Sequence, residues 1–127
     1  MRISSIAPLF AIGLSASAFA QSPAVVEVHL ANFKFSPRTI MLDEGRPYVL
    51  RLVNDAGGGH DFTAPEFFRA AKVDARDRGL TAEGEVEVPG HQRREIHLTA
   101  PRAGRYPLKC SHSFHKALGM SGSIVVR

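Results

Sequence analysis

Apolar and polar residues alternate along most of the chain from Val26 onward, and this pattern predicts short β-strands. A period of two places successive side chains on opposite faces of a strand, so that one face can be buried. The alternation is clear from Val26 to Leu30 and continues through Phe33 and Phe35 until Ser36-Pro37 interrupts it. Further strands are predicted at 39–42, 48–53, 85–88, 93–99, 106–109 and 123–126, with turns between them.

Only Pro65–Ala71 has a helical pattern, with proline in the first turn and Glu66 where the helix dipole favours an anion. The loop at 54–59 is rich in glycine and is expected to be flexible. Short strands separated by turns every 8 to 12 residues or so are typical of a β-sandwich or a small barrel. The sequence therefore predicts an all-β fold with a short helical insertion.

The first twenty residues have the features of a secretory signal peptide. Arg2 provides a positive start, an apolar stretch follows, and Ala18-Phe19-Ala20 has the small-x-small form of a cleavage site. A membrane anchor is the alternative, but the apolar run is shorter than the ~20 residues that a spanning helix needs. We expect 1–20 to be removed on export to the periplasm, leaving 21–127 as one domain without a membrane span.

Length and composition restrict the possible functions. A chain of 127 residues has room for one domain, which excludes large enzyme scaffolds. A single cysteine excludes an intrachain disulfide framework and Cys-x-x-Cys sites. Without Arg2, 15 of the 16 Lys and Arg residues remain against 12 Asp and Glu, a net charge of +3. These charges are scattered, so no nucleic-acid-binding segment is predicted.

The residues with the most informative chemistry lie in one loop near the C-terminus. Cys110, His115 and Met120 follow the spacing Cys-x4-His-x4-Met between two predicted strands. Two histidines, one cysteine and a weak axial methionine are the ligand set of a type 1 copper centre. The second histidine has to come from elsewhere, and His60 is the candidate because it follows three glycines and opens a predicted strand.

Each of these residues also has a purely structural interpretation. Cys110 could be a small buried apolar residue, Met120 could fill a gap in the core, and His60 could be an ordinary loop residue. An unpaired thiol is a liability in an oxidising compartment, however, and metal ligation gives it a reason to be there. His29, His91 and His97 lack comparable context and are predicted to have no role in the site.

Taken together, these segments resemble the cupredoxins, especially the plastocyanin and azurin group. The similarity extends over the mature chain and includes 32–37, Val53-Asn54 before the loop with the first histidine, and the closing loop that continues into 122–126. The resemblance implies a Greek-key β-sandwich that binds one copper ion, cycling between Cu(I) and Cu(II). It also implies equatorial ligands His60, Cys110 and His115, with Met120 as the axial ligand.

Two positions depart from the family pattern. The residue after the first histidine is often asparagine in cupredoxins, whereas this chain has Asp61. His112 is an additional imidazole inside the ligand loop, and some related domains place the ligand histidine only two or three residues after the cysteine. His112 is therefore an alternative to His115, although the His-x-x-x-Gly-Met ending after residue 115 favours His115.

The resemblance implies a periplasmic, monomeric one-electron carrier that is not itself an enzyme. Its partner would be a redox protein such as a cytochrome or a terminal oxidase or reductase. The apolar residues around His115 would form the docking surface, and the nearby Arg105, Lys109 and Lys116 would favour an acidic partner. The alternative function is a periplasmic copper-binding or copper-resistance protein, which would sequester or deliver the metal without a redox-chain role.

Overall fold

The computed structural model describes residues 13, 21–31, 33–112 and 119–127. The predicted signal peptide, apart from Gly13, and the predicted ligand His115 lie outside the described residues. Within them the chain forms ten strands and two short helices. The strands are β1 (Ala24–Ala31), β2 (Lys34–Ser36), β3 (Thr39–Leu42), β4 (Pro47–Asn54), β5 (His60–Thr63), β6 (Lys72–Val73), β7 (Glu85–Val88), β8 (Arg93–Thr99), β9 (Gly104–Lys109) and β10 (Ser121–Val126). The helices are α1 (Pro65–Ala70) and α2 (Arg78–Thr81).

The strands form two five-stranded sheets. The first has the order β2-β1-β4-β8-β6, and the second has the order β3-β10-β9-β5-β7. Most neighbours are antiparallel, but β1 pairs with β4 in parallel and β3 pairs with β10 in parallel. Strands that are adjacent in a sheet are therefore often distant in sequence, as expected of a Greek-key sandwich. The predicted all-β sandwich with a helical insertion is confirmed.

Alternation along the strands produces the core between the two sheets. In β4, for example, Tyr48, Leu50 and Leu52 are buried, while the residues between them are half-buried on the outer face. Phe35 of the first sheet meets Phe62 of the second sheet edge to face, with 6.0 Å between ring centroids. Phe62 also contacts Phe68 of α1 at 5.9 Å. These aromatic contacts connect both sheets and the insertion.

The predicted strand through residue 35 is two strands in the structure. The chain reverses direction between β1 and β2, which pair antiparallel from Ala31 and Lys34 outward, and Phe33 has a φ of 60°. Antiparallel pairing of β2 keeps Phe35 on the buried face, in phase with Leu30 opposite it. The alternation was therefore predicted correctly, whereas the tight reversal was not, because a reversal that preserves the period leaves no break in the pattern.

The helical insertion is longer than predicted. After α1 the chain forms β6, a 3-10 turn at Ala75–Asp77 and then α2. β6 adds an edge to the first sheet by pairing with β8. Single turns of helix contain too few residues to show a periodic pattern, so the sequence did not predict them. No helix in the described part of the chain is both long and apolar enough to cross a bilayer.

Asp77 attaches this insertion to the first sheet. Its Oδ2 accepts hydrogen bonds from the backbone N–H of His97 at 2.8 Å and contacts the imidazole Nδ1 of His97 at 2.9 Å. Burial by itself would raise the pKa of Asp77, but the backbone N–H and imidazole of His97 and the charge of Arg76 together lower it. The ionised carboxylate is therefore the form that holds the insertion in place.

Asp77→Ala is expected to lower the free energy of unfolding by about 1–3 kcal/mol near neutral pH, because it removes a charged hydrogen-bond acceptor. Since the pKa of Asp77 is lower in the folded state, its contribution is complete above the ordinary pKa of Asp. It declines as the pH falls through the folded-state value. Urea unfolding of both proteins from pH 7 downward should show the difference shrinking in acid. Asp74→Ala, which removes only an exposed contact to Arg76, is the control. A difference that does not depend on pH would contradict this account.

Candidate metal centre

Cys110 and Met120 face each other at the end of two paired strands. The register between β9 and β10 pairs Lys109 with Ser121, and the N–H of Cys110 donates to the carbonyl of Met120 at 3.1 Å. This bond extends the pairing by one residue and closes the loop that joins the strands. Both side chains are fully buried, and both continue the inward alternation of their strands. The two predicted sulfur ligands are therefore neighbours.

His60 lies at the same end of the second sheet. It opens β5, where it pairs with Val88 and is 96% buried, with 4% of its surface exposed. β5 also runs antiparallel to β9 through the pair Thr63 and Lys109. Because side chains two residues apart share a face, His60 lies on the inner face with Phe62, and the register brings Cys110 beside that face. His60, Cys110 and Met120 thus occupy one end of the sandwich interior.

Asp61 connects the start of β5 to the cysteine loop. Its Oδ1 accepts a hydrogen bond from the N–H of Ser111 at 2.7 Å, and its Oδ2 accepts one from the Ser111 hydroxyl. The hydroxyl of Thr63 donates to Oδ1 at 2.7 Å. The carboxylate is buried, and these three hydrogen bonds compensate for the hydration that it loses. Asp61, which follows His60, therefore holds Ser111, which follows Cys110, in a fixed position.

The surroundings of Cys110 favour a protonated thiol in the absence of metal. Burial raises the pKa of the Cys110 thiol, and the negative charges of Asp61 and Glu87 add to that rise. Backbone N–H groups of Asp61 and His112 favour the thiolate and offset part of the effect. A buried thiol held by backbone donors is suited to a metal ion, which displaces the proton and replaces the unfavourable buried charge with a coordinate bond.

His112 lies beside Cys110 at the edge of the site. Among the described residues, the ligand atoms of Asp61, Cys110 and His112 are within 4.8 Å of one another, and His60 is not a member of this group. The imidazole Nε2 of His112 is 3.2 Å from both carboxylate oxygens of Glu87 and 3.6 Å from Oδ2 of Asp61. The sequence predicted that His112 competes with His115, and the structure places His112 close to the thiol.

The loop that leads to His60 is held by Asn54, for which the sequence pattern predicted no role in the site. The buried amide of Asn54 donates to the carbonyls of Gly58 and Val88, each at 2.9 Å, and its oxygen accepts from the N–H of Ala56. The N–H of His91 also donates to the carbonyl of Ala56 at 3.0 Å. The loop was expected to be flexible, but these bonds fix it. The feature of the sequence that could have predicted a fixed loop is the asparagine that precedes the glycines.

Close backbone packing completes this support. A Cβ at Gly90 would lie 2.0 Å from the carbonyl oxygen of Gly57, so only glycine permits the contact between the turn at 89–91 and the loop. His29, predicted to lie outside the site, is on the outer face of the first sheet with Glu27 and Asp55. His97 contacts Asp77 in the insertion.

The chain belongs to the cupredoxin-like domain family, whose family model matches residues 4–126. The resemblance recognised in the sequence is thereby confirmed. No curated protein sequence matches the chain significantly.

Solved structures share the fold at low sequence identity. Auracyanin B is 18% identical over 84% of this chain and 91% of its own, with a TM-score of 0.60. Auracyanin A from Chloroflexus aurantiacus, described as a "blue" copper protein, is 20% identical over 84% of this chain and 100% of its own, also with a TM-score of 0.60. The McoA multicopper oxidase from Aquifex aeolicus is 15% identical over 88% of this chain but only 31% of its own, with a TM-score of 0.64.

Proposed function

We propose that this protein is a type 1 copper protein that carries one electron at a time between redox partners. The observation that carries the proposal is the position of three side chains. Cys110 and Met120 are joined by a backbone hydrogen bond, and they lie at the same inner end of the sandwich as His60. Membership of the cupredoxin-like family supports it, as does the likeness in fold to a "blue" copper protein.

The chemistry of the donors fits copper. A thiolate and a thioether favour Cu(I), while imidazole suits both oxidation states, so this mixture serves a metal that changes by one electron. His60, Cys110 and Met120 would provide three ligands, and His115 would provide the fourth by the Cys-x4-His-x4-Met motif. When bound, copper supplies the one-electron redox chemistry. The chain's own residues hold the ligands in place and exclude water.

The fold supplies rigidity where electron transfer needs it. Two ligands stand at the ends of paired strands, and the Asp61–Ser111 bonds connect the third, His60, to the cysteine loop through adjacent residues. Ligands in a closely packed interior, where His60, Cys110 and Met120 lie, rearrange little when the charge of the metal changes. Small rearrangement is what lets an electron pass quickly in either direction.

Location and partners follow from the same proposal. Removal of 1–20 on export would place a single domain, 21–127, in the periplasm as a monomer that is not itself an enzyme. Exposed Arg105 and Lys109 lie on the outer face of β9, and Glu85 and Glu87 lie on β7. The outer face of the second sheet is thus basic along β9 and acidic along β7. An electron-transfer partner, such as a cytochrome or a terminal oxidase or reductase, would present an acidic surface to the basic side.

Loading the mature protein with Cu(II) is expected to produce an intense thiolate-to-copper band in the visible spectrum and a narrow parallel hyperfine splitting in the electron paramagnetic resonance spectrum. Cys110→Ser should abolish the band, because the band requires sulfur. His60→Gln should abolish or strongly alter it, whereas His29→Gln, an imidazole on the opposite sheet, should leave it unchanged. A normal tetragonal spectrum in the unmodified protein would refute the proposal.

A second candidate function is copper handling without a redox-chain role. The proximity of His112 and Asp61 to Cys110 favours it, because additional donors at the edge of a site ease the exchange of metal. Voltammetry separates the two functions. A carrier gives a reversible wave and exchanges electrons rapidly with a reduced cytochrome, whereas a handling protein transfers copper to an acceptor and is slow in electron exchange.

A further inference from the structure

A cluster of potential metal donors lies on the solvent side of the proposed copper centre. His112, Glu87 and Asp61 come from the cysteine loop, β7 and β5, and Glu87 pairs directly with Asp61 across the two strands. The Nε2 atom of His112 lies 3.2 Å from both Glu87 oxygens and 3.6 Å from Oδ2 of Asp61. None of these three residues belongs to the proposed ligand set.

After its hydrogen bonds are counted, the carboxylate of Asp61 still has a lone pair for a metal ion on the side nearer to His112. A carboxylate has about four lone-pair sites. Thr63 and the N–H of Ser111 engage Oδ1, and the hydroxyl of Ser111 engages Oδ2. The remaining site is on Oδ2, the oxygen nearer to His112. A carboxylate fixed by three bonds, with one site left over, is an oriented metal ligand rather than a mobile surface charge.

The solvent exposure of the side chains also decreases from the outer residues of the cluster to the buried thiol. The side chains of Glu87 and His112 are 54% and 37% exposed, Asp61 is 2% exposed, and Cys110 is fully buried. Gly59, directly before His60, contributes to this arrangement. A Cβ at that position would lie 2.9 Å from Oε1 of Glu87 and 3.7 Å from Cε1 of His112. Glycine therefore lets both side chains lie over the backbone that leads to His60.

We propose that His112, Glu87 and Asp61 form an acquisition site for copper ions. The acquisition site and the buried centre share Cys110 as a ligand, and the ion passes from the first to the second. This inference rests on the proposed function. Ligand atoms of Asp61, Cys110 and His112 already lie within 4.8 Å of one another. Metal–ligand bonds of about 2.0–2.3 Å need only small side-chain rotations to form.

The transfer is a ligand exchange without a change of oxidation state. As the ion binds, the thiol of Cys110 loses its proton to water and forms the metal–sulfur bond. The bonds to His112 and to the carboxylates then break while bonds to His60 and the other ligands of the proposed centre form. The shared thiolate keeps the ion attached throughout, and the negative charges of Glu87 and Asp61 attract the cation to the start of this route.

The test measures the rate of copper uptake separately from the finished centre. Metal-free protein is mixed with Cu(II) in a stopped-flow instrument, and the growth of the thiolate-to-copper band is followed. His112→Gln and Glu87→Gln are expected to slow uptake on the order of tenfold or more, the usual cost of losing a supporting metal donor. The final spectrum should not change. His29→Gln, an exposed imidazole on the outer face of the first sheet, is the matched control and should bind copper at the unmodified rate.

Two results would overturn the proposal. Uptake by His112→Gln at the unmodified rate would show that the cluster does not receive the ion. An altered final spectrum in His112→Gln would show that His112 is a ligand of the centre itself.

A second measurement keeps this proposal separate from the proposed function. In the Cys110→Ser background, which cannot form the coloured centre, calorimetry with Cu(II) should detect binding that weakens on the order of tenfold when His112→Gln is added. Equal affinities in the two proteins would refute the acquisition site. This readout holds even if the unmodified protein gives no thiolate-to-copper band.

Discussion

Phe62→Ala is expected to lower the free energy of unfolding by about 3–5 kcal/mol, the usual range for removing a fully buried aromatic ring. Phe62 has no exposed surface and contacts Phe35 of the opposite sheet and Phe68 of α1 edge to face. Its removal therefore leaves a cavity where the two sheets and the insertion meet. Few substitutions in the described part of the chain should cost more.

Urea unfolding followed by circular dichroism measures this loss. Leu80→Ala is the control, because Leu80 on α2 is 41% exposed and its truncation should change stability by about 0.5 kcal/mol or less. Phe62→Leu should fall between the two, since it keeps part of the buried volume. A loss below about 1 kcal/mol for Phe62→Ala would mean that the core can collapse around the missing ring, which the contacts of Phe62 with Phe35 and Phe68 do not predict.

Asn54→Ala is expected to destabilise the protein by roughly 3 kcal/mol, given about 1–3 kcal/mol for each buried polar group that loses its partner. The substitution leaves the carbonyls of Gly58 and Val88 and the N–H of Ala56 without the asparagine amide. Because that loop ends at His60, the effect should extend to the metal centre. Chemical unfolding of the metal-free protein and the visible spectrum of the copper-loaded protein measure the two consequences.

Asn54→Asp separates the contributions within this group. Aspartate keeps an oxygen for the N–H of Ala56 but cannot donate to either carbonyl, and it places a negative charge in a buried position. We therefore expect Asn54→Asp to be at least as destabilising as Asn54→Ala. A spectrum unchanged by either substitution would contradict the view that Asn54 positions His60.

The strands were largely predictable because a sandwich imposes the same simple rule on most of them. Val28 and Leu30 face the core and His29 faces outward, as the period of two requires. The insertion after α1 was not predictable in the same way. Asp77 is a charged residue in a one-turn segment, and only its contacts with His97, twenty residues away, explain why it is buried.

The candidate site divides along the same line. Cys110 and Met120 could be identified from their spacing, since a loop that joins two paired strands brings its ends together whatever the rest of the fold does. His60 was a candidate from the three glycines before it and the strand that it opens, but nothing local connects residue 60 to residue 110, so only the resemblance to cupredoxins placed it in one site with Cys110. The bond between Asp61 and Ser111 and the proximity of His112 to Glu87 could not be read from spacing at all.

What this sequence determined by itself was local: the alternating pattern of the strands, the turns between them, and a loop that combines thiol, imidazole and thioether. The tertiary structure alone decided which distant residues meet. Hydrogen bonding between β5 and β9 brings the end of the loop before His60 to the start of the loop that begins at Cys110. The register of that pairing places Asp61 beside Ser111 and places His112 beside the carboxylates of Asp61 and Glu87. Pairing between strands depends on the burial of both sheets at once, which is a property of the whole chain and not of any segment.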